Sequence, residues 1–384
     1  MSDEYLTGYV ERLSSSGAGA VHFEAERRFV HGCVPGETVV CRVDRSEKYS
    51  AGLVDIIRAS PDRTTPNCQY YGVCGGCSLR HLDYNAQLRE KAALLKAAFK
   101  HSGGISLLPE IKITLSAPDG YRNRASFHRV GTGRAIGFMA RDSKTPVQIN
   151  DCPVLEATLR AAQKDGVLIP PLDRDRFTVY GRGGTLLSEG SHSMGAVNFS
   201  AEGCAETIFL DAGLFFQSNG LLLEQLITRL LALARQYSGE LAGDFYAGVG
   251  TFAVFLRRVF SKIDVLEQNR AAIEIARKNL SGGGLRFYAQ SDSDWVKNIG
   301  GKPRRYDFLC VDPGRAGLSP LMRSWLCKNQ PALLAYVSCE ASALARDARA
   351  LLSGGLELVS LEIFDFYPQT ARLETLAVFT GKQN

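Results

Sequence analysis

Asp244-Phe245-Tyr246-Ala247-Gly248-Val249-Gly250 carries an apolar strand into a helix through a glycine turn. Glycine at positions 248 and 250 permits a tight turn and a close approach of a ligand to the backbone. Glu267 lies 23 residues after Asp244, at the end of the next apolar run, where a carboxylate can bind ribose hydroxyls. The pattern indicates a nucleotide-binding turn, although Gly-x-Gly after a strand also occurs as turn chemistry alone.

Strand-like and helix-like stretches alternate beyond about Asp211. Helical spacing occurs at 270–280 and 342–352. The apolar strand-like runs around them are 241–246, 262–267, 285–289, 306–312, 333–338, 357–364 and 373–379. This alternation predicts an α/β fold with a doubly wound, mostly parallel sheet that binds ligands at the carboxyl ends of its strands. Ala253 stands where a dinucleotide-binding motif has its third glycine, which favours an adenosine ligand such as S-adenosylmethionine over a pyrophosphate-bearing one.

Composition and charge exclude several classes of protein. The chain has 384 residues, of which 45% are hydrophobic and 22% charged, so it is neither disordered nor collagen-like, and its length fits two or three domains. We expect a cytoplasmic protein without membrane contact, because no apolar run approaches the ~18 residues that cross a bilayer and no leader is seen. The net charge of only +5 means that polyanion binding would need local clusters of cations.

Residues 1–58 show short runs of alternating polarity separated by glycine turns, which predicts a small antiparallel barrel. Seven basic and nine acidic residues give this segment a charge of −2, so nucleic-acid binding here would depend on stacking. The candidate stacking residues are Tyr5, Tyr9, Phe23, Phe29 and Tyr49. A place in the core is the alternative for each of them.

Ten cysteines in a chain of this length favour metal binding or catalysis over disulfides. Cys68, Cys74 and Cys77 lie within ten residues, and Cys152-Pro153 follows much later. Three thiolates plus a distant Cys-Pro favour a [4Fe-4S] cluster, whereas structural zinc sites usually come as two paired knuckles. The spacing of Leu88, Ala92, Leu95 and Phe99 then predicts a helix over 83–100 that ends at Gly103-Gly104.

Cations cluster among aromatic residues between Tyr121 and Lys144. The cations are Arg122, Arg124, Arg129, Arg134, Arg141 and Lys144, against the single acid Asp142. The interleaved aromatic residues are Tyr121, Phe127 and Phe138. Such a set would suit a phosphate backbone with exposed bases, and a solvated protein face is the alternative.

Three residues of the α/β half are candidates for chemistry. Asp312, at the carboxyl end of a predicted strand, points into the ligand cleft. Cys339 lies between a strand and a helix, whose amino terminus would lower the pKa of the thiol, so it is a candidate nucleophile. All six histidines precede residue 193, so a carboxylate such as Glu374 or Asp312 would have to move protons there. An exposed salt bridge is the alternative for Glu374.

The motifs together resemble the uracil-5 RNA methyltransferase family over nearly the whole chain. They are Phe215-Phe216-Gln217-Ser218-Asn219, Asp312-Pro313-Gly314-Arg315-Ala316-Gly317, Val337-Ser338-Cys339 and Leu373-Glu374, together with the cysteine pattern. The resemblance implies that Cys339 is the nucleophile, Glu374 the general base and Cys68, Cys74, Cys77 and Cys152 the ligands of a [4Fe-4S] cluster. It also implies binding of S-adenosylmethionine by Gln217, Tyr246, Glu267 and Asp312.

The resemblance further implies a domain division and a substrate. Residues 1–58 resemble a TRAM domain, 59–82 with 120–212 would form the central iron–sulfur and RNA-binding domain, and 83–119 with 213–384 the methyltransferase domain. The implied substrate is a uridine in 23S ribosomal RNA, because the transfer-RNA branch of the family generally lacks both the cluster and the TRAM domain. We expect a monomer that binds RNA.

Some positions depart from the family pattern, and two other functions stay open. Arg372 and Gln369 stand where the family often has histidine, and Ala247 where it often has cysteine. Gly314 replaces a commoner proline or alanine. The alternatives are a transfer-RNA 5-methyluridine methyltransferase and a non-catalytic iron–sulfur RNA-binding protein.

Overall fold

The structure, a computed structural model, describes residues 4–44, 46–141, 145–237, 239–299 and 304–381. The chain divides into two units. The first contains Met1–Leu95, His128–Pro153 and Tyr367–Arg372, and the second contains Lys96–Phe127, Val154–Phe366 and Leu373–Asn384. No helix in the described ranges combines the length and the apolar character needed to span a membrane.

The first unit begins with a five-stranded antiparallel sheet in the order β3-β2-β1-β4-β5. Its strands are β1 (Glu4–Leu13), β2 (Gly19–His22), β3 (Arg27–Val30), β4 (Thr38–Val43) and β5 (Gly52–Arg58). Alternate residues such as Val10, Val39 and Cys41 are buried on one face. The amide of Phe29 donates to Tyr49 O and its carbonyl accepts from Ala51 N, so hydrogen bonds join the two edges of the sheet. The predicted strands are confirmed, and the barrel of TRAM type stays a prediction.

The aromatic residues of this sheet divide between its surface and its core. Tyr5, Tyr9 and Tyr49 are 59%, 47% and 63% exposed, whereas Phe23 is buried. Phe29 is half-buried. The core alternative therefore holds for Phe23, and the three tyrosines keep the exposure that stacking on a base would need.

The rest of the first unit contains the cysteine segment, the start of a helix and short strands. The helix α1 (Tyr84–Ala98) begins where the Asp83 carboxylate accepts the amides of Asn85 and Ala86, as predicted. The boundary between the two units falls at Leu95, inside this helix. A π-helical turn, Phe99–Gly103, continues it and ends at Gly104, which has a φ of +66°. The short strands are β8 (Ile136–Met139) and β9 (Pro146–Gln148). Two other strands, β6 (Ile111–Thr114) and β7 (Arg124–Arg129), precede them in the chain.

Two of the three aromatic residues interleaved with the cations of 121–144, Tyr121 and Phe127, are buried. Phe127 lies on β7, which turns alternate residues, including Ala125, towards the core, so neither ring is available for stacking on a base. Phe138 is half-buried and Arg134 is exposed. Asp142 and Lys144 lie outside the described residues.

The second unit is built on an eight-stranded mixed sheet in the order β16-β15-β14-β17-β18-β20-β19-β6. Its strands besides β6 are β14 (Leu241–Phe245), β15 (Lys262–Leu266), β16 (Leu285–Tyr288), β17 (Phe308–Val311), β18 (Leu333–Ser338), β19 (Glu357–Phe364) and β20 (Thr375–Thr380). Strands β14 to β18 are parallel, and β20 runs antiparallel between β18 and β19. The predicted strands and the mostly parallel sheet are confirmed. The strand order reverses beside β14, and the carboxyl ends of parallel strands at such a point form a ligand crevice.

Helices and two hairpins complete the second unit. The hairpins pair β10 (Arg176–Arg182) with β11 (Thr185–Ser188) and β12 (Met194–Ala201) with β13 (Cys204–Asp211). The helices are α2 (Ala157–Lys164), α3 (Gly220–Gln236), α4 (Thr251–Leu256), α5 (Arg270–Asn279), α6 (Asp292–Ile299), α7 (Pro320–Lys328) and α8 (Ala341–Ser353). Under one face of the sheet, Phe245, Trp295, Tyr306 and Trp325 pack edge to face, with ring centroids 4.7 to 6.2 Å apart. Such pairs stabilise the core beyond what area burial alone contributes.

Gly284, which leads into β16, offers a test of the sheet. Its φ is +80°, and a Cβ there would lie 2.0 Å from the carbonyl oxygen of Ser261. Gly284→Ala is expected to lower the free energy of unfolding by about 2 kcal/mol or more, since it adds left-handed strain to a backbone clash. Gly283→Ala meets no atom within 4 Å and should change it by less than about 0.5 kcal/mol. Urea unfolding of the two variants measures both values, and equal losses would contradict the register of β16.

Candidate active site

The glycine turn after β14 leaves room for a ligand. Tyr246 has a φ of +62° and Gly248 a φ of +55°, so the chain bends away from the sheet at once. A Cβ on Gly248 would meet no atom within 4 Å. Glu267, at the end of β15, accepts the amide of Gly248 at 3.0 Å and that of Asn269 at 2.7 Å. The carboxylate is thus held at the edge of the open turn, where the sequence places a ribose-binding group.

Asp292 joins this turn to the loop after β17, and sequence analysis did not find it. The hydroxyl of Tyr246 donates to Asp292 Oδ2 at 2.6 Å, and the amide of Ser319 donates to the same oxygen at 3.0 Å. The signal that could have found it is its position four residues after the end of β16, among the carboxyl ends of the parallel strands.

Gln217 and Asp312 form a hydrogen-bonded pair. Gln217 Nε2 donates to Asp312 Oδ2 at 3.2 Å, and Gln217 is buried. Its other polar atom, Oε1, is buried and has no hydrogen-bond partner among the described residues. Burial raises the pKa of Asp312 to about 7, and the hydrogen bond from Gln217 opposes this shift. The pair therefore presents one unsatisfied acceptor and one carboxyl group that titrates near neutral pH.

The pairing of β18 with β20 brings Cys339 and Glu374 together. Ser338 is the register partner of Thr375 in this antiparallel pair. The next residue along β18 is Cys339 and the residue before β20 is Glu374, so both lie at the same edge of the sheet, where Asp312 ends β17. Glu374 is 2% exposed, and its Oε1 has no hydrogen-bond partner among the described residues. Burial, reinforced by the charge of Asp312, raises the pKa of Glu374 well above its usual value.

The prediction that a helix terminus lowers the pKa of Cys339 is wrong. Burial, followed by the charges of Glu374 and Asp312, raises the pKa of this half-buried thiol to about 12, and the charge of Arg315 lowers it only in part. Glu340, not Cys339, caps α8, since its carboxylate accepts the amide of Ser342. Desolvation and two neighbouring acids outweigh a terminal dipole. Of the other cysteines of this half, Cys310 is buried and Cys327 is half-buried.

Phe215 is the exposed aromatic residue next to these groups in sequence. It is 66% exposed, whereas Phe216 is buried. The guanidinium of Arg124 lies 6.0 Å from the Phe215 ring centroid and donates to Leu214 O at 2.8 Å, so it supports the segment that carries Gln217. The ring is therefore a surface on which a base can stack. Tyr246 is half-buried, and its hydroxyl is bound to Asp292, so its ring is less open to a base than that of Phe215.

The predicted cluster ligands lie in the first unit, on two segments joined by hydrogen bonds. The amide of Gly75 donates to Met139 O at 2.9 Å, and that of Arg141 to Val73 O at 3.0 Å. The hydroxyl of Tyr70 accepts from the amide of Asn150, two residues before Cys152, at 3.2 Å. All four cysteines, Cys68, Cys74, Cys77 and Cys152, are half-buried. Within the described ranges no three His, Cys, Asp or Glu side chains are grouped so as to hold a metal ion.

Relatives resemble this chain over nearly its full length. An uncharacterized RNA methyltransferase of Treponema denticola is 30% identical over an alignment 383 positions long, which covers 91% of this chain and 93% of that protein. A 23S rRNA (uracil(1939)-C(5))-methyltransferase of Chromohalobacter salexigens is also 30% identical, with coverages of 97% and 88%. The enzyme of the same name from Alkalilimnicola ehrlichii is 28% identical, with coverages of 96% and 94%. No family model matches the sequence.

One solved structure resembles the chain as a whole. The tRNA (uracil-54, C5)-methyltransferase of Pyrococcus abyssi, in complex with S-adenosyl-L-homocysteine, superposes with a TM-score of 0.71. The match covers 98% of this chain and 100% of that one, at 22% identity. The fold of this chain is therefore a methyltransferase fold with a mixed α/β sheet, of class I.

The raised pKa of Asp312 predicts a pH-dependent cost to stability. Its carboxyl group ionises near pH 4 in the unfolded chain but near 7 in the folded one, so its contribution to stability falls as the pH rises from about 4 to about 7. Asp312→Asn removes this loss, and its free energy of unfolding should exceed that of the wild type by about 2 kcal/mol at pH 8 but not at pH 4. Asp294→Asn is the control, because a hydrogen bond from Ser291 lowers the pKa of that exposed carboxyl, so this substitution should give no gain in stability at pH 8. Urea unfolding at both pH values measures the difference; a gain of equal size at pH 4 would contradict the account.

Proposed function

The chain belongs to the uracil-5 RNA methyltransferase family, and we propose that it transfers a methyl group from S-adenosylmethionine to carbon 5 of a uridine in 23S ribosomal RNA. It is an S-adenosylmethionine-dependent RNA methyltransferase. The near full-length likeness to enzymes named for 23S rRNA supports this substrate. The observation that carries the chemistry is a thiol and a buried carboxylate at adjoining strand ends, Cys339 and Glu374. A uridine of transfer RNA is the second candidate, on the likeness of fold to a tRNA enzyme.

Cys339 is the proposed nucleophile. Carbon 5 of uracil is a weak nucleophile. The sulfur of Cys339, as thiolate, therefore forms a bond to carbon 6 and pushes the electron pair of the carbon 5–carbon 6 double bond towards carbon 5 and the adjoining carbonyl oxygen. Asp312, which burial keeps protonated up to about pH 7, is suited to donate a hydrogen bond to that oxygen. Ionisation of the thiol, whose proton leaves to solvent, is favoured when the neighbouring Asp312 is neutral, since the charge of that carboxyl group raises the pKa of Cys339.

Glu374 is the proposed general base. Carbon 5 takes the methyl group of S-adenosylmethionine as its bond to the sulfonium sulfur breaks, which leaves S-adenosylhomocysteine, and carbon 5 then carries both a methyl group and a proton. The carboxylate of Glu374 takes that proton, the carbon 5–carbon 6 double bond re-forms, and the Cys339 thiolate leaves carbon 6. Burial without a hydrogen-bond partner at Oε1 keeps this carboxylate basic, which suits removal of a proton from carbon.

We propose that S-adenosylmethionine binds Gln217, Tyr246, Glu267 and Asp312. The open space over Gly248, the carboxylate of Glu267 beside it and the unsatisfied Oε1 of Gln217 support this assignment. Because the thiolate must approach the ring from its face, the uridine has to leave its stack, and Phe215 offers an exposed ring to receive a neighbouring or flipped base.

The first sheet is proposed to bind RNA as a TRAM-like domain over residues 1–58. Its exposed tyrosines Tyr5 and Tyr9 lie on one face of β1, and Arg42 is the register partner of Tyr5 on β4. Alternating aromatic and cationic side chains suit stacking with phosphate contact. The central domain (59–82 and 120–212) and the methyltransferase domain (83–119 and 213–384) remain our proposed division.

Cys68, Cys74, Cys77 and Cys152 are proposed to hold a [4Fe-4S] cluster. The proposal is supported by the chemistry of four half-buried thiols on turn-rich segments that backbone hydrogen bonds join within one unit. Among the residues that the structure describes, these side chains are not grouped as a metal site. When bound, such a cluster would add four covalent links to a part of the chain without extended strands or helices. A fourth cysteine argues for a closed cluster that stabilises shape and against a radical role.

The chemistry predicts two distinct phenotypes on a 23S rRNA transcript. Glu374→Gln should accumulate a covalent RNA–protein adduct on denaturing gels, because the methylated intermediate cannot lose its proton. Cys339→Ala should form no adduct and lose about 10⁴-fold or more in methylation rate. The double variant is the control and should form no adduct. Normal turnover by either single variant would contradict the assignment, and methylation of transfer RNA but not 23S rRNA would contradict the substrate.

The cluster predicts a defined metal content. Anaerobically purified protein should contain about four iron and four sulfide per chain, and Cys152→Ala should lose both. Cys204→Ala, at a half-buried cysteine outside the set, is the control and should keep them. Stoichiometric zinc without sulfide would contradict the proposal and favour a structural zinc site.

A further inference from the structure

Building on the proposed function, we propose that Asp347 is a positioning residue: from the helix after Cys339, it fixes the loop 312–319 and keeps the Arg315 guanidinium near the nucleophilic sulfur. Asp347 lies on α8 and is fully buried, and the hydrogen bonds that converge on its carboxylate hold the loop that carries Arg315.

The Asp347 carboxylate is fully buried and fully used. Its Oδ2 accepts from the Tyr336 hydroxyl and from the amide of Leu318, both at 2.8 Å. Its Oδ1 accepts from Arg323 Nη1 at 2.9 Å and from Arg346 Nη2 at 2.8 Å. A buried carboxylate that meets two guanidinium groups, a hydroxyl and an amide is strongly held, since hydrogen bonds to charged groups are about twice as strong as neutral ones.

The same two arginines reach past Asp347 to the loop backbone. Arg346 Nη2 donates to Ala316 O at 2.7 Å, and Arg323 Nη1 donates to Leu318 O at 2.6 Å. Between them, Gly317 has a φ of +73°, and a Cβ there would lie 2.5 Å from Asp347 Oδ2. The loop is therefore wrapped against this carboxylate with no room for a side chain at its closest point.

The other partner of Asp347 belongs to the strand that carries the nucleophile. Tyr336 is fully buried on β18, three residues before Cys339. One carboxylate thus ties the loop after β17 to the strand that ends at the thiol. Breaking it would free the loop without removing any group that touches the proposed substrates.

Arg315 connects the hydrogen bonds of Asp347 with the chemistry of Cys339. Its side chain is exposed in the loop 312–319, and its charge lowers the pKa of Cys339, whereas burial and the charges of Glu374 and Asp312 raise it. A cation near the thiol favours the thiolate and attracts anionic reagents. Its effect depends on its place, and among the described residues its exposed side chain has no hydrogen bond or ion pair of its own that would set that place.

The chain offers a matched control in Asp264. This carboxylate, on β15, is also fully buried and also accepts from a tyrosine hydroxyl, that of Tyr306, at 2.5 Å. Arg286 Nε donates to it at 2.9 Å, and Arg304 pairs with it. It has the same chemistry as the Asp347 site but no hydrogen bond to the loop 312–319.

The test is the ratio of the alkylation rates of Cys339 with iodoacetate and with iodoacetamide, followed on its peptide by mass spectrometry in the full-length protein. The reagents have nearly the same shape but differ in charge, so their ratio reports nearby positive charge and cancels changes of access. Arg315→Ala and Asp347→Asn should each lower the ratio about fivefold. Asp264→Asn should leave the ratio within about 1.5-fold of the wild-type value, while it lowers the melting temperature by about as much as Asp347→Asn does.

A double variant separates positioning from stability. If Asp347 acts through Arg315, Arg315→Ala combined with Asp347→Asn lowers the ratio no further than Arg315→Ala alone. An unchanged ratio in folded Asp347→Asn, or multiplying effects in the double variant, would overturn the proposal. Should Asp347→Asn not fold, Tyr336→Phe, which removes one hydrogen bond, should lower the ratio about twofold, and no change there would overturn it equally. Alkylation needs neither RNA nor S-adenosylmethionine, so a failure of the proposed function appears separately, as absent methylation by the wild type.

Discussion

The antiparallel pairing of β20 with β18 is the constraint on which the site depends. Parallel strands alone would carry Cys339 and Asp312 to one edge of the sheet, but a group at the start of a parallel strand would lie at the opposite edge. Because β20 runs the other way, Glu374 precedes its strand at the edge where Cys339 follows its own. A nucleophile and a base can then lie at the same edge of the sheet although they are 35 residues apart in sequence.

This arrangement gathers acids that the fold does not neutralise. Asp244, Asp312 and Glu374 all have raised pKa values because they are desolvated near one another, and the first two titrate near 7. Such groups cost stability at neutral pH. In contrast, Asp264 on β15 and Asp347 on α8 are buried carboxylates that each meet a tyrosine and two arginines. Unpaired acids beside paired ones are typical of groups kept for proton transfer or ligand binding.

Much of the fold was predictable, because it depends on patterns among residues that are close in sequence. The glycine turn at 246–250, the alternation of strands and helices and the cap at Asp83 each depend on neighbours in sequence. The roles of Asp292 and Asp347 were not predictable, because their partners Ser319 and Leu318 are 27 and 29 residues away. The local rule failed for Cys339, since its pKa is decided by burial and by the charges of Glu374 and Asp312, which are distant in sequence. The burial of Phe127 was not evident either, because arginines lie next to the apolar residues of β7.

The claim that most needs a direct measurement is that Cys339 bonds to carbon 6 of the target uracil. A 23S rRNA fragment containing 5-fluorouridine, incubated with the wild-type protein and S-adenosylmethionine, presents a carbon 5 from which no proton can be removed. The account predicts a stable covalent complex whose digested peptide, located by mass spectrometry, carries a methylated fluorouridine on Cys339. A complex linked through another residue, or methylated RNA without any covalent complex, would contradict it.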